Sequence, residues 1–199
     1  IDRDPITHAP TGILRENAME LIYRQIPSPR ILDLKRAIRN ACRQGAAFGL
    51  TTVQSNDLTG AKSLKVQLQA YRELAQAGEL PIRVILQAGM PTPEDLQEYI
   101  KLRQSSSDFG PYLKLGPLKL YVDGSLGART AALTAPYADA PDTKGICLYT
   151  QDQLDELVLM GAEANLPIAT HAIGDGAMDM VLNSYQRAKE EVPGWTARP

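Results

Sequence analysis

The stretch Leu166–Leu182, LPIATHAIGDGAMDMVL, runs from a short apolar segment through His171 and two glycines into residues with helical spacing. It reads as a strand, a tight turn and the start of a helix, the repeating unit of a parallel α/β sheet. The same unit recurs upstream. LKLYVDG, from Leu118, is a strand whose helix is TQDQLDELVLMGAEAN, capped by Thr150. LPIRVILQAG is a strand followed by TPEDLQEYIKLRQSS, with Thr92 as N-cap and Pro93 in the first helical position. GLTTVQSND is a strand followed by GAKSLKVQLQAYRELAQAG, which stops at Gly78. Two amphipathic helices are expected before these units. One places Leu14, Ala18, Leu21 and Ile22 on a face, the other Leu34, Ala37, Ile38, Ala41 and Cys42.

Four alternations of strand and helix satisfy both an open doubly wound sheet and a (β/α)8 barrel. Strand starts near Leu50, Pro81, Leu118 and Pro167 lie 31, 37 and 49 residues apart, where a barrel unit takes about 31. The largest excess falls in residues 124–150, rich in Gly, Pro, Ala and Asp. A loop of that length inside a compact domain is usually functional, and we expect it to border an active site.

The 199 residues, 44% hydrophobic and 22% charged, suffice for one domain with a sizeable core. A net charge of -2 without a basic stripe argues against nucleic acid as a partner. No apolar run approaches the roughly 18 residues that cross a bilayer, so no membrane association is expected. Cys42 and Cys147 are too isolated to form a disulfide framework, and a reducing cytoplasm is the simplest setting. The opening at Ile1 and the end at GWTARP lead us to expect a piece of a longer protein.

Within LKLYVDG, Leu118, Leu120 and Val122 alternate with Lys119, Tyr121 and Asp123. In a barrel the apolar set meets the helices and the polar set points inward, where an unpaired lysine is costly unless it is neutralised, paired with a carboxylate such as Asp123, or serving a site. His171 lies at the C-terminal end of its strand, where (β/α) enzymes place their chemistry, although a lone histidine there is more often structural. Asp175 stands near a helix start and suits its dipole. GDGA, residues 174–177, lacks the patterns of a phosphate loop and is better read as a tight turn. Arg129 and Thr130, in the long loop, would meet a polar or anionic substrate group if they face the site. His8 reads as surface loop.

Taken together, KLYVDGSLGARTAALTAPYADAPDTKG, ATHAIGDGAMDMVLNSY and the upstream PTGILRENAMELI closely resemble the amidohydrolase 3 (YtcJ-like) family of metal-dependent amidohydrolases, over nearly the whole chain. The resemblance implies a partial TIM (β/α)8 barrel holding strands two to five, with N-terminal helices, all within one barrel fragment, residues 1–199. It also implies a parent enzyme that hydrolyses amide, non-peptide C–N bonds of small molecules with metal-activated water, the metal being zinc or a similar divalent ion. Residue by residue, His171 matches the fifth-strand metal ligand. Lys119 matches the fourth-strand lysine, which binuclear members carboxylate. Asp123, Arg129 and Asp175 match no ligand position and are placed near the site or in a substrate loop. The family's H-x-H pair, sixth-strand histidine and eighth-strand aspartate are missing, so this piece alone is expected to bind metal weakly or not at all and to be inactive.

Two other readings stay open at this stage. One is a barrel aldolase forming a Schiff base on Lys119, the other a non-catalytic barrel scaffold. Four units also leave two open sheet edges, which invite a homodimer or covering by the N-terminal segment.

Overall fold

The computed structural model describes residues 1–14, 16–27, 29–105 and 109–197. Four parallel strands, β1 (Thr52–Thr59), β2 (Arg83–Gly89), β3 (Leu113–Tyr121) and β4 (Ile168–His171), form one sheet in the order β1-β2-β3-β4. The helices are α1 (Glu20–Tyr23), α2 (Ile31–Ala47), α3 (Gly60–Gln76), α4 (Pro93–Ser105), α5 (Gln151–Glu163) and α6 (Asp175–Glu191). The strand order never reverses. Right-handed crossovers therefore put every intervening helix on the same side, which is the layout of consecutive barrel units and excludes a doubly wound sheet.

Burial follows that one-sidedness. Val84, Leu86, Leu118 and Leu120 are sealed against Leu68 and Leu157 in a single core. On the opposite face Gln54, Asn56, Gln87, Lys119 and Tyr121 are exposed or half-buried. Core formation thus uses alternate residues of each strand and leaves a polar face at the concave side. At the N-terminal end of the sheet the buried Trp195 donates its indole N–H to the Leu166 carbonyl at 2.9 Å and stands edge-on to Tyr185.

Helix starts follow the expected chemistry. Thr92 Oγ1 accepts the Asp95 amide at 3.2 Å, and Thr150 forms a full capping box with Gln153. Two expectations need correction. The segment around Leu14–Ile22 forms only a 3-10 turn, Glu16–Met19, and the single turn of α1, with Leu21 and Ile22 about half exposed. One turn without a core to bury its apolar side chains does not propagate. Third-strand pairing begins at Leu113, five residues before the expected start. Gly116-Pro117 resembles a turn in sequence, yet both residues lie inside β3 where its register with β2 slips between Leu86 and Ala88. The strand starts at 52, 83 and 113 are therefore 31 and 30 residues apart. All of the excess length lies between β3 and β4.

The sheet ends at β1 and β4. Residues 1–13 close on themselves through an Arg3–Pro10 bridge and an Asp2 amide bond to the Ile13 carbonyl. They add no strand to β1.

The β3 slip needs glycine, because a Cβ at Gly116 would lie 2.8 Å from the Leu86 carbonyl oxygen, a backbone atom. Gly116→Ala is expected to cost about 2 kcal/mol or more through forced separation of β2 and β3. Thr150→Ala should cost about 1 kcal/mol through loss of the cap. Urea midpoints at unchanged m-value test this ranking.

Candidate functional site

The C-terminal ends of β3 and β4 bring two of the expected residues to one face. Lys119 pairs in register with Ala169, and Tyr121 with His171, so Lys119, Tyr121 and His171 share the concave side. Lys119 Nζ lies 4.9 Å over the Tyr121 ring, and that ring packs 5.5 Å from the His171 ring. Among the described residues Lys119 has no ion pair, so pairing with Asp123 does not occur. Burial pushes its ammonium pKa down. From β1 and β2, Gln54 and Gln87 join amide to amide at 2.8 Å, and the Asn56 amide meets the Tyr121 hydroxyl.

Asp123 behaves differently from its neighbours. It follows the end of β3, where strand alternation no longer applies, and its side chain is fully enclosed. Its Oδ2 accepts the amides of Ala132 at 2.9 Å and Gly174 at 2.7 Å, and Oδ1 accepts that of Ile173 at 3.0 Å. One carboxylate therefore ties the long loop to the β4–α6 turn. A buried carboxylate is tolerable because backbone donors replace its water.

That clamp also orients the histidine. His171 Nε2 lies 2.8 Å from the Gly124 carbonyl oxygen and 3.6 Å from Asp123 Oδ1. Both are acceptors, so Nε2 carries the proton in the neutral ring, and Nδ1 keeps the lone pair. This is the state a metal-ligating imidazole needs, with its other nitrogen held by an outer acceptor.

Arg129 and Asp175 serve the loop. Arg129, at φ 56°, makes a two-point contact with Asp139, Nη2 to Oδ2 at 2.8 Å and Nε to Oδ1 at 3.2 Å. Asp175 accepts the Thr134 amide at 2.9 Å and the Thr134 hydroxyl at 2.5 Å. Thr130 turns its hydroxyl oxygen to the Ser125 amide. The glycine-rich turn is no phosphate cradle, because the amides of Ile173, Gly174 and Gly176 are already taken by Asp123 and Asp175. Gly174 has a packing reason instead: a Cβ there would sit 1.9 Å from the Ala132 carbonyl oxygen.

As a metal site the face fits in part. His171 offers a tautomer-fixed imidazole and Lys119 an unpaired amine, while no group of three or more His, Cys, Asp or Glu among the described residues is placed to hold a metal ion. The two residues expected from sequence to ligate metal, His171 and Lys119, lie on this one face. Asn56, beside Tyr121 on the same face, was not singled out from the sequence, where its signal was the polar alternation of Gln54 and Asn56 in TTVQSND, and Asp123 was not expected to act as a clamp.

Asp123→Ala leaves three amides without an acceptor and should cost at least about 3 kcal/mol, with Asp123→Asn intermediate. Faster hydrogen exchange at Ala132 and Gly174 would accompany either loss. Asp175 has its pKa lowered from 3.8, chiefly by the Thr134 hydroxyl and then by the Thr134 amide. A depressed carboxyl pKa stabilises the folded state above the unfolded value and loses that contribution as pH falls through the folded one. The Thr134 amide should therefore stay protected at pH 5 and lose protection only as pH drops below 3.8. Thr134→Ala should raise the pH at which protection is lost.

Comparison with known proteins agrees with this architecture. The model of the amidohydrolase family matches residues 1–198. The chain is 33% identical to "Putative amidohydrolase YtcJ" of Bacillus subtilis (strain 168), over 89% of this chain and 32% of that protein. It is 30% identical to Protein LONG AFTER FAR-RED 3 of Arabidopsis thaliana, over 89% and 31% of the respective chains. N-substituted formamide deformylase of Arthrobacter pascens is 24% identical, over 96% and 35%. A crystal structure of a metal-dependent hydrolase from Pyrococcus horikoshii superposes with a TM-score of 0.74 at 29% identity, covering 89% of this chain and 35% of that one. Its counterpart from Pyrococcus furiosus gives 0.74 at 32% identity, covering 89% and 36%. The chain spans about a third of the length of the relatives it matches. With four consecutive barrel units, a strand-end histidine of fixed tautomer and a family match along nearly its whole length, the chain belongs to the amidohydrolase family.

Proposed function

We propose that this chain forms the middle of a metal-dependent hydrolase barrel that cleaves the C–N bond of small, non-peptide amides. The observation that carries this is His171, whose Nε2 is tied to the Gly124 carbonyl at the C-terminal end of β4, leaving Nδ1 available. Metal-dependent hydrolases among the solved relatives support a divalent ion, and we take zinc as the first candidate. The name of the Arthrobacter pascens relative supports N-substituted amides as the class to try first. The family and relatives lend no support to a Schiff-base aldolase.

His171 would hold the ion through Nδ1. Lys119 would serve as a carboxylated ligand: its neutral amine adds to carbon dioxide, forming an N–C bond and releasing one proton, and the resulting carboxylate supplies anionic oxygen. The absence of an ion pair on Lys119 among the described residues and its place on the concave face both suit that conversion. When bound, a divalent ion supplies Lewis acidity toward a carbonyl and acidifies water toward neutrality. Asp123 keeps His171 oriented and holds residues 124–150 across the mouth of the barrel. A zinc site takes at least three protein ligands, and we assign only two to this chain, His171 and Lys119, so we expect the isolated chain to retain little metal. Among the described residues no helix is long and apolar enough to cross a membrane, and two free thiols, Cys42 and Cys147, suit a cytoplasmic setting.

The test uses the full-length protein, purified with zinc present throughout. We expect about one equivalent of bound zinc or more, turnover of formanilide, and loss of that turnover on chelation. His171→Ala should lose most of the metal and the turnover together. Full metal and full activity in His171→Ala would refute this function.

A further inference from the structure

Most polar clusters outside the site are already satisfied. Asp155, between α5 and α6, takes Gln151 and Ser184 on Oδ1 and Arg187 on Oδ2. An apolar cavity of about 410 Å³ between α2 and the β1 end of the sheet has nothing on it that identifies an occupant. Tyr121 is different, because its hydroxyl oxygen has a defined donor while its proton has no acceptor among the described residues.

The ring is fixed from two sides, by His171 at 5.5 Å and by the Lys119 side chain over its face. The hydroxyl is met by Asn56 Nδ2, from the part of β1 where register against β2 shifts between Ser55 and Leu58. Such irregularities re-aim a side chain that regular pairing would point elsewhere. An amide N–H only donates, so the phenol oxygen is the acceptor in this contact and its own O–H is left over. No other hydrogen bond of the Tyr121 hydroxyl is formed among the described residues, and the residue is 38% exposed on the concave face. A neutral O–H is thus held beside the ring of the candidate metal ligand and directed toward open space.

We propose that Tyr121 donates a hydrogen bond to the carbonyl oxygen of the amide substrate, and that Asn56 is the positioning residue that fixes the direction of this bond. The inference rests on the amidohydrolase function proposed above. A carbonyl oxygen gains negative charge as water adds to the carbon, so a pre-aimed donor strengthens its bond in the transition state more than in the bound substrate. A phenol suits this role because it donates at neutral pH without adding a charge to a site that must also hold a cation.

The experiment compares the full-length zinc-loaded wild type with Tyr121→Phe and Asn56→Ala, using formanilide, acetanilide and benzamide as probes and measuring bound zinc in each sample. Tyr121→Phe should lower kcat about a hundredfold with little change in KM, the size expected for loss of one oxyanion donor. Asn56→Ala should lower kcat by about tenfold, since the hydroxyl remains but is no longer aimed. Zinc content should equal the wild type in both, a readout that a structural role in the metal site would move. If the wild type turns over a probe and Tyr121→Phe retains its kcat within about threefold, the donor role is overturned while the amidohydrolase function stands. Loss of zinc from Tyr121→Phe also overturns it, by assigning the phenol to holding the site together. If the wild type turns over none of the probes, the amide function fails and the inference falls with it.

Discussion

The Asp123 carboxylate is the constraint on which the functional end of this sheet depends. It sits beyond the last residue of β3, fully enclosed, and draws in amides from two segments about forty residues apart in sequence, Ala132 on one side and Ile173 and Gly174 on the other. Hydrogen bonds to a charged acceptor contribute roughly 1.5–3 kcal/mol each. That is large beside the entropy of closing a long loop, which grows only slowly with length. The clamp therefore converts residues 124–150 from a tolerated insertion into a part with one position. Tyr137, buried with its hydroxyl on the Ala131 carbonyl, and the Arg129–Asp139 pair finish the same piece of surface from within.

The clamp reaches as far as His171. Gly124 is the next residue after Asp123, and its carbonyl is the acceptor that fixes the protonated ring nitrogen. A change in the loop would thus reach the imidazole through a single peptide unit. Lys119 and Tyr121, held by β3 itself, depend on the loop much less. The site is assembled from two kinds of support: sheet register for the β3 residues and a buried carboxylate for the β4 residue.

Much of this was legible along the chain, for reasons that are local. Leu118, Leu120 and Val122 are buried and Lys119 and Tyr121 share the opposite face, because alternation along an extended strand leaves no choice. Thr92, Pro93 and Thr150 mark helix starts because capping involves neighbours within one turn. The failures are equally physical. Gly116-Pro117 has the composition of a turn, but Tyr99 and Arg103 of α4 both donate to the Gly116 carbonyl and keep it within β3. Leu14, Ala18, Leu21 and Ile22 have helical spacing, but spacing forms a helix only where something covers the apolar face. Asp123 shared the parity of Lys119 and Tyr121, and parity ends with the strand.

The sequence by itself determined the alternation of strand and helix, the sidedness of each strand and the two residues, His171 and Lys119, whose chemistry stands out on a polar face. These depend on contacts between near neighbours and on the two-residue period of extended chain. Only the tertiary structure decided that strand order runs without reversal, that Asp123 serves the backbone rather than Lys119, that Arg129 and Asp175 are spent on the loop, and that Asn56 reaches Tyr121. Each of those pairs joins residues nine or more positions apart, Asn56 and Tyr121 being separated by 65. Such pairings are set by how the sheet twists and how its loops close, and no local pattern records them.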